Sequence, residues 1–267
     1  MDAWLLAYAA AGAFFGFLAG LLGIGGGAVS VPIMTMLYAA QDFDRDTIFH
    51  VALGTGMASI VFTSLSSLRA HDKHGAVDWT ILRRLTPGIV LGTFLATTVV
   101  HRIPTFPLAL IFVVFMFYMS YSMFRSWRPK PTRQMPGRLG TFLAGGAIGG
   151  LSGIVAIGGG ALSVPYMAFC NVPFHRAIGT SAAIGLPIAL TGAIGYIVNG
   201  WGHEGLPPYS LGYVYLPALL GFSVASVSMA PIGARLAHKT STAALKKIFA
   251  VVLLALALKM LSTLWGS

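Results

Sequence analysis

Apolar residues run through this chain in ten long stretches separated by short polar breaks. The stretches lie at about 3–22, 28–40, 50–68, 84–100, 106–124, 138–156, 159–170, 177–198, 211–233 and 245–264. Most approach the roughly 20 residues an α-helix needs to cross the hydrocarbon of a bilayer. They lack the alternation of a transmembrane β-barrel, which excludes an outer-membrane strand protein. The pattern predicts an all-α integral membrane protein. Residues 1–22 lack a basic leading segment and continue into more apolar sequence, so they are expected to belong to the fold and not to a cleaved signal. Two stretches are short, those after Gly27 and after Gly160, and each follows three consecutive glycines.

The two glycine runs belong to an internal repeat. Residues 24–32 read I-G-G-G-A-V-S-V-P and residues 157–165 read I-G-G-G-A-L-S-V-P, identical at eight of nine positions. Further on, H-V-A-L-G-T at 50–55 answers H-R-A-I-G-T at 175–180. Two matches in the same order indicate a duplication of about 130 residues, a construction common in secondary transporters. The expected division is a first transmembrane repeat at 1–124, a basic, Pro-rich linker at 125–137 and a second repeat at 138–267.

Charge sets the expected orientation. If each glycine run tips a hairpin whose arms begin and end on one side, the halves are inverted. Each half is then a broken hairpin plus three transmembrane helices. One side of the membrane collects fourteen of the seventeen Lys and Arg residues, and the other receives Arg45, Arg102 and Lys259. If each broken element is one kinked crossing, the halves are parallel and the division is ten against seven. Cytoplasmic loops carry the excess of Lys and Arg, which favours the inverted arrangement in an inner (plasma) membrane, with both termini outside the cytoplasm. Whether the hairpin arms cross fully or turn back inside the membrane stays open at this level.

Composition removes several function classes. Charged residues are 9% of the chain, against about 25% for soluble domains, and the mean hydropathy is +0.80. The net charge of +10 comes from loop cations and forms no basic patch interleaved with aromatics, so no nucleic-acid partner is expected. The seven acidic residues all fall in or beside polar breaks. Cation carriers place carboxylates inside the membrane, so a cation substrate is disfavoured. The one cysteine, Cys170, excludes an internal disulfide and a Cys-rich metal site. No catalytic triad, H-E-x-x-H or P-loop is present, so neither an enzyme, nor a cofactor, nor ATP drive is expected.

The glycine runs are the candidate site. Unwound backbone at membrane depth is tolerated only where protein or a water-filled cavity surrounds it. A helix restarting after Gly27 or Gly160 aims free N–H groups and the positive end of its dipole at the hairpin tip, which suits an anion. Pro32 and Pro165 sit early in these helices, where a missing N–H matters little. The candidate substrate-binding residues are therefore Gly25, Gly26, Gly27, Ser30 and Thr55, with Gly158, Gly159, Gly160, Ser163 and Thr180. Ser59 and Ser181 are nearby polar candidates. Most membrane Ser and Thr bond back to their own helix, so recurrence in both halves is what singles out Thr55 and Thr180. His50 and His175 begin their helices and are candidates for proton-linked gating against a simpler capping role. The stripes Gly12, Gly16, Gly20 and Gly145, Gly149, Gly153 have helical spacing and read as helix-packing faces. Asn199, Tyr196 and Trp201 are expected to anchor a span at the outer interface.

The repeated G-G-G-A-(V/L)-S-V-P and H-x-A-(L/I)-G-T segments, with Y-S-L-G-Y at 209–213 and Pro217-x-x-x-Gly221, resemble the sulfite exporter family of TauE/SafE type over roughly residues 10–260. The resemblance implies a permease exporting sulfite or a small organosulfonate, with the recurring Gly, Ser, Pro and Thr positions forming its site. The expected function is a secondary transporter of a small sulfur-containing anion, with membrane lipid as its other partner. A passive anion channel and a non-transporting membrane subunit are the alternatives.

Overall fold

The computed structural model describes residues 2–22, 27–125, 133–237 and 242–265. Among these the chain forms ten helices. The first half contributes α1 (Asp2–Leu22), α2 (Gly27–Ala39), α3 (Ile48–Lys73), α4 (Trp79–Val100) and α5 (Thr105–Phe124). The second contributes α6 (Arg138–Val155), α7 (Gly160–Phe169), α8 (Phe174–Asn199), α9 (Leu216–Ala237) and α10 (Thr242–Trp265). Six of them are long and apolar enough to cross a membrane, and α2 and α7 are shorter apolar helices. The all-α membrane class expected from the hydrophobic pattern is the class observed. The stretch expected to be helical from 211 departs from the sequence reading. Its start is a two-stranded antiparallel hairpin, β1 (Ser210–Leu211) and β2 (Val214–Tyr215), and the helix begins only at Leu216. Gly212 takes a φ of 54° in the turn, a left-handed conformation that breaks a helix and suits glycine.

The helices associate in a pattern that survives exchange of the two halves. α1 packs on α9 as α6 packs on α4, while α3 packs on α8 and α5 on α10. The glycine stripes mediate the first two pairings, as their spacing predicts. Gly12, Gly16 and Gly20 lie on the backbone of Phe222, Ser226 and Ala230, and Gly145 and Gly149 lie on Leu85 and Ile89. A β-carbon at any of these would run into a carbonyl of the partner helix. Backbones approach this closely in membranes because lipid supplies no hydrophobic drive and contact must come from van der Waals packing. Position numbers rise together along both pairs, so α1 runs with α9 and α4 runs with α6. Along α3 and α8 they run oppositely: Gly54 meets Tyr196, Met57 meets Gly192, and Ser64 meets Gly185. These equivalent helices of the two halves are antiparallel.

Burial places the polar groups inside. α3 is the central helix, buried along most of its length, and Thr55, Ser59, Thr180 and Ser181 are all buried at its interface with α8. The outer faces carry Leu91, Leu95, Val114, Tyr118, Val251 and Leu258 to the exterior. In lipid such a surface is solvated by matching hydrocarbon, and every backbone group is satisfied inside a helix. Bonds between helices use hydroxyls against carbonyls. Thr93 donates to Gly149 at 3.0 Å, and Ser120 to Ala250 at 2.8 Å.

Candidate functional site

The two glycine breaks, 133 residues apart in sequence, meet in space. Gly27, the first residue of α2, packs against the carbonyl of Ala156 at the end of α6, so closely that no β-carbon fits. Ala156 itself holds a left-handed φ of 44° as it turns the chain toward α7. Gly25 and Gly26 lie outside the described residues. Gly158 and Gly159 are buried, and Gly160 opens α7. A β-carbon on Gly159 would sit 2.9 Å from the Ser181 carbonyl, 2.9 Å from Ile184 and 3.0 Å from the Gly185 nitrogen. The second break is therefore pressed onto α8.

Among the described residues, α2 begins against a carbonyl of the other half. α7 begins on a cavity of about 340 Å³. Its walls come from α1 (Ala19, Gly20), α3 (Thr63, Ser64, Ser66, Ser67, Ala70, His71), the start of α7 (Gly159, Gly160), α8 (Ser181, Ala182, Gly185) and α9 (Val227, Ala230, Pro231). No side chain caps the start of α7. Its first N–H groups thus have the positive end of a helix dipole behind them and open space in front. Ser64 and Ser181 are 7% and 3% exposed, line this cavity, and have no hydrogen-bond partner among the described residues. A point one β-carbon out from Gly185 is 2.8 Å from Ser64 Oγ and 3.8 Å from the Gly159 nitrogen, so hydroxyl and helix start converge. Among the described residues nothing anionic lines the space.

The hydroxyls at the recurring positions are engaged by the protein. Ser30 donates to the Gly27 carbonyl at 3.3 Å and Ser163 to the Gly159 carbonyl, each stitching the first turn of its own helix. Ser59 donates to Thr55 at 2.8 Å. Thr180 Oγ1 accepts the Asp78 N–H at 2.8 Å, and Thr55 Oγ1 accepts the Tyr215 N–H at 3.0 Å. The preceding glycines complete the motif: Gly179 abuts the carbonyl of Ala76, and Gly54 that of Tyr213. In both halves, then, glycine receives a carbonyl and threonine receives the N–H two residues further on. Each Gly-Thr pair clamps the segment leading into a helix of the opposite half, α4 or α9. Asp78 is further fixed as the N-cap of α4, accepting from Thr80 and Ile81, and its carboxylate lies 3.9 Å from Arg176.

One end of the α3–α8 pair is sealed. Tyr38 stacks on Phe43 at 4.9 Å between ring centres, and Tyr215 meets both edge-on at 5.8 and 5.2 Å, with Tyr8 beside them. Next to this plug His50 is buried, its Nε2 3.2 Å from the Val100 carbonyl. It binds the start of α3 to the end of α4, a cross-link that a helix-start reading alone does not provide. Tyr213 Oη is 3.0 Å from His101 Nδ1. Burial pushes the Tyr213 phenol up to about 12, so it keeps its proton. Burial, with His203 and Arg102 nearby, pushes His101 below its ordinary value. His175 lies at the opposite end, exposed at the start of α8. Tyr196, expected at an interface, is instead buried and donates to the Gly153 carbonyl at 2.9 Å, bracing the tip of α6. Trp201 is exposed, and Asn199 donates to the Gly195 carbonyl of its own helix.

Hydroxyls at Ser64, Ser66, Ser67 and the imidazole of His71 were not singled out by repeat matching, because they occur in one half only. The run T-S-L-S-S at 63–67, polar on every face of a membrane helix, is the signal that marks them.

Comparison with known proteins is consistent along the whole chain. The profile of the sulfite exporter TauE/SafE family matches residues 8–260. A probable membrane transporter protein of Haemophilus influenzae is 37% identical over 250 residues, covering 93% of this chain and 95% of that protein. A probable membrane transporter protein of Methanocaldococcus jannaschii is 28% identical over 255 residues, covering 94% and 92%. The probable membrane transporter protein YunE of Bacillus subtilis is 27% identical over 209 residues, covering 71% and 77%. No solved structure matches the chain.

Proposed function

We propose that this chain, which belongs to the sulfite exporter TauE/SafE family, is a secondary transporter that exports a small sulfur-containing anion, sulfite or an organosulfonate, by alternating access. The observation that carries this reading is the cavity at the start of α7. The hydroxyls of Ser64 and Ser181 and an uncapped helix N-terminus converge there, and among the described residues no carboxylate lines the cavity. Helix N-terminal N–H groups favour an anion, and hydroxyls donate to oxyanion oxygens without adding net charge. Gly27 lets the start of α2 abut the end of α6, so movement of one half is felt at the tip of the other.

Alternating access is supported by asymmetry between the ends. The cavity reaches toward His71 and the turn between α3 and α4, while the aromatic plug of Tyr8, Tyr38, Phe43 and Tyr215 closes the other end. The cavity end carries Arg69, Lys73, Arg83, Arg84 and Arg176. By the positive-inside bias that end is cytoplasmic and this form is open inward. The antiparallel course of α3 and α8 supports inverted halves. Export then needs no ATP, since an inside-negative potential favours anion exit by about 2.3 kcal/mol per charge per 100 mV.

The test is flux in liposomes holding the purified chain. Sulfite or a sulfonate should move with saturation and counterflow. Movement of a cation with no anion flux overturns the reading, and non-saturating flux assigns a channel. Gly159→Leu should abolish transport in a folded protein, because its side chain has no space between the second break and α8.

A further inference from the structure

We propose that His71 is the charge partner of the anion in this cavity, so that anion and proton bind there together. The inference rests on the transport reading above and adds the group that sets its pH dependence.

Among the described residues His71 is the one titratable side chain in the cavity wall. It sits on the last turns of α3, two helical turns beyond Ser64, on the helix that contributes the hydroxyls. Helix N–H groups and hydroxyls attract an anion but carry no net charge. An anion entering a half-buried site still leaves an unbalanced charge, and a protonated imidazole at the wall removes it. The neighbours of His71 sharpen its role. His74 on the following turn and His175 at the start of α8 are the groups nearest in charge, and both are exposed. On its own helix Arg69, Asp72 and Lys73 flank it, and the Asp72 carboxylate is taken by Trp79 Nε1 at 2.8 Å. On α8 Arg176 points to Asp78. From α1 and α9 the wall presents Ala19, Gly20, Val227, Ala230 and Pro231, none charged. Among the described residues no carboxylate lines the cavity wall. Binding is reciprocal: if the proton strengthens anion binding, the anion strengthens proton binding by the same factor.

The experiment uses the full chain in liposomes at equal pH on both sides, with methanesulfonate and sulfite as probes. Methanesulfonate stays anionic across the range, so any pH effect belongs to the protein. Its half-saturating concentration should rise by about tenfold per pH unit on the alkaline limb between about pH 5 and 8, the signature of one linked proton. In His71→Gln the half-saturation should be weak and flat with pH. In His71→Lys, which stays charged, it should be tight and flat. His74→Gln should keep the wild-type slope. On the wild-type protein, methanesulfonate should slow carbethoxylation of His71, read by peptide mass, even where a variant fails to fold. A wild-type slope retained in His71→Gln, or no protection of His71, overturns the assignment while leaving anion transport standing. Absence of any anion flux overturns the transport reading and this inference with it.

Discussion

Removing the hydroxyls of Ser64 and Ser181 isolates the anion-binding contribution from the stability of the fold. Each is buried, faces the cavity and bonds to nothing in the described protein, so alanine deletes one oxygen and orphans no partner. The substitution leaves no protein partner unpaired, so thermal unfolding should change little. A hydrogen bond to a charged group is worth about 1.5–3 kcal/mol. At about 1.4 kcal/mol per factor of ten, Ser64→Ala and Ser181→Ala should each weaken half-saturation for sulfite or methanesulfonate by roughly 10- to 100-fold. The two face one cavity, so the double variant should fall short of the product of the single effects. The assay is initial-rate uptake into liposomes over a range of anion concentration, with thermal unfolding in detergent as the stability control. Ser59→Ala is the comparison: its hydroxyl is spent on the Thr55 carbonyl, and affinity should not change. If both cavity variants keep half-saturation within about twofold of wild type, the cavity is not where the anion binds.

Four further outcomes follow from the geometry. Gly16→Ala puts a methyl into the Ser226 backbone and should destabilise by about 1–3 kcal/mol or more, while Gly137→Ala, with open space around it, should leave thermal unfolding unchanged. Thr180→Val and Thr55→Val each leave a backbone N–H, of Asp78 or Tyr215, without its acceptor, and should each cost about 1–3 kcal/mol in detergent unfolding. His101 is held below its ordinary value by burial, then by His203 and Arg102. Its neutral form therefore stabilises the fold above about pH 6.5, that contribution is lost as pH falls through the depressed value, and His101→Gln should flatten the acid limb of a melting-temperature profile. A reporter active only in the cytoplasm should be silent when fused after Ser267 and active when placed in the 125–137 linker; activity at Ser267 would contradict the inverted arrangement.

Much of this architecture is written locally. Ten helices, the two short arms and the glycine packing faces appear in the sequence because hydrophobic length, helix period and small-residue spacing report on single helices. The recurring Gly-Thr pairs fall on positions that hold close contacts, Gly54 against the Tyr213 carbonyl and Gly179 against that of Ala76.

The partners of those positions were decided only by the tertiary structure. Thr55 and Tyr215 are 160 residues apart, and Thr180 and Asp78 are 102 apart, so no local pattern could tell a substrate hydroxyl from a clamp on the opposite half. Repeat symmetry likewise offered two helix starts; among the described residues, packing set the start of α2 against Ala156 and the start of α7 on the cavity. Ser64, Ser181 and His71 line one cavity because α3 and α8 cross antiparallel beside the start of α7. The sequence by itself determined that the chain is an all-α membrane protein, because hydrophobic length and period are local properties. Long-range packing decided that Ser64, Ser181, His71 and the start of α7 share one cavity, because residues far apart in the chain come together only when helices pack.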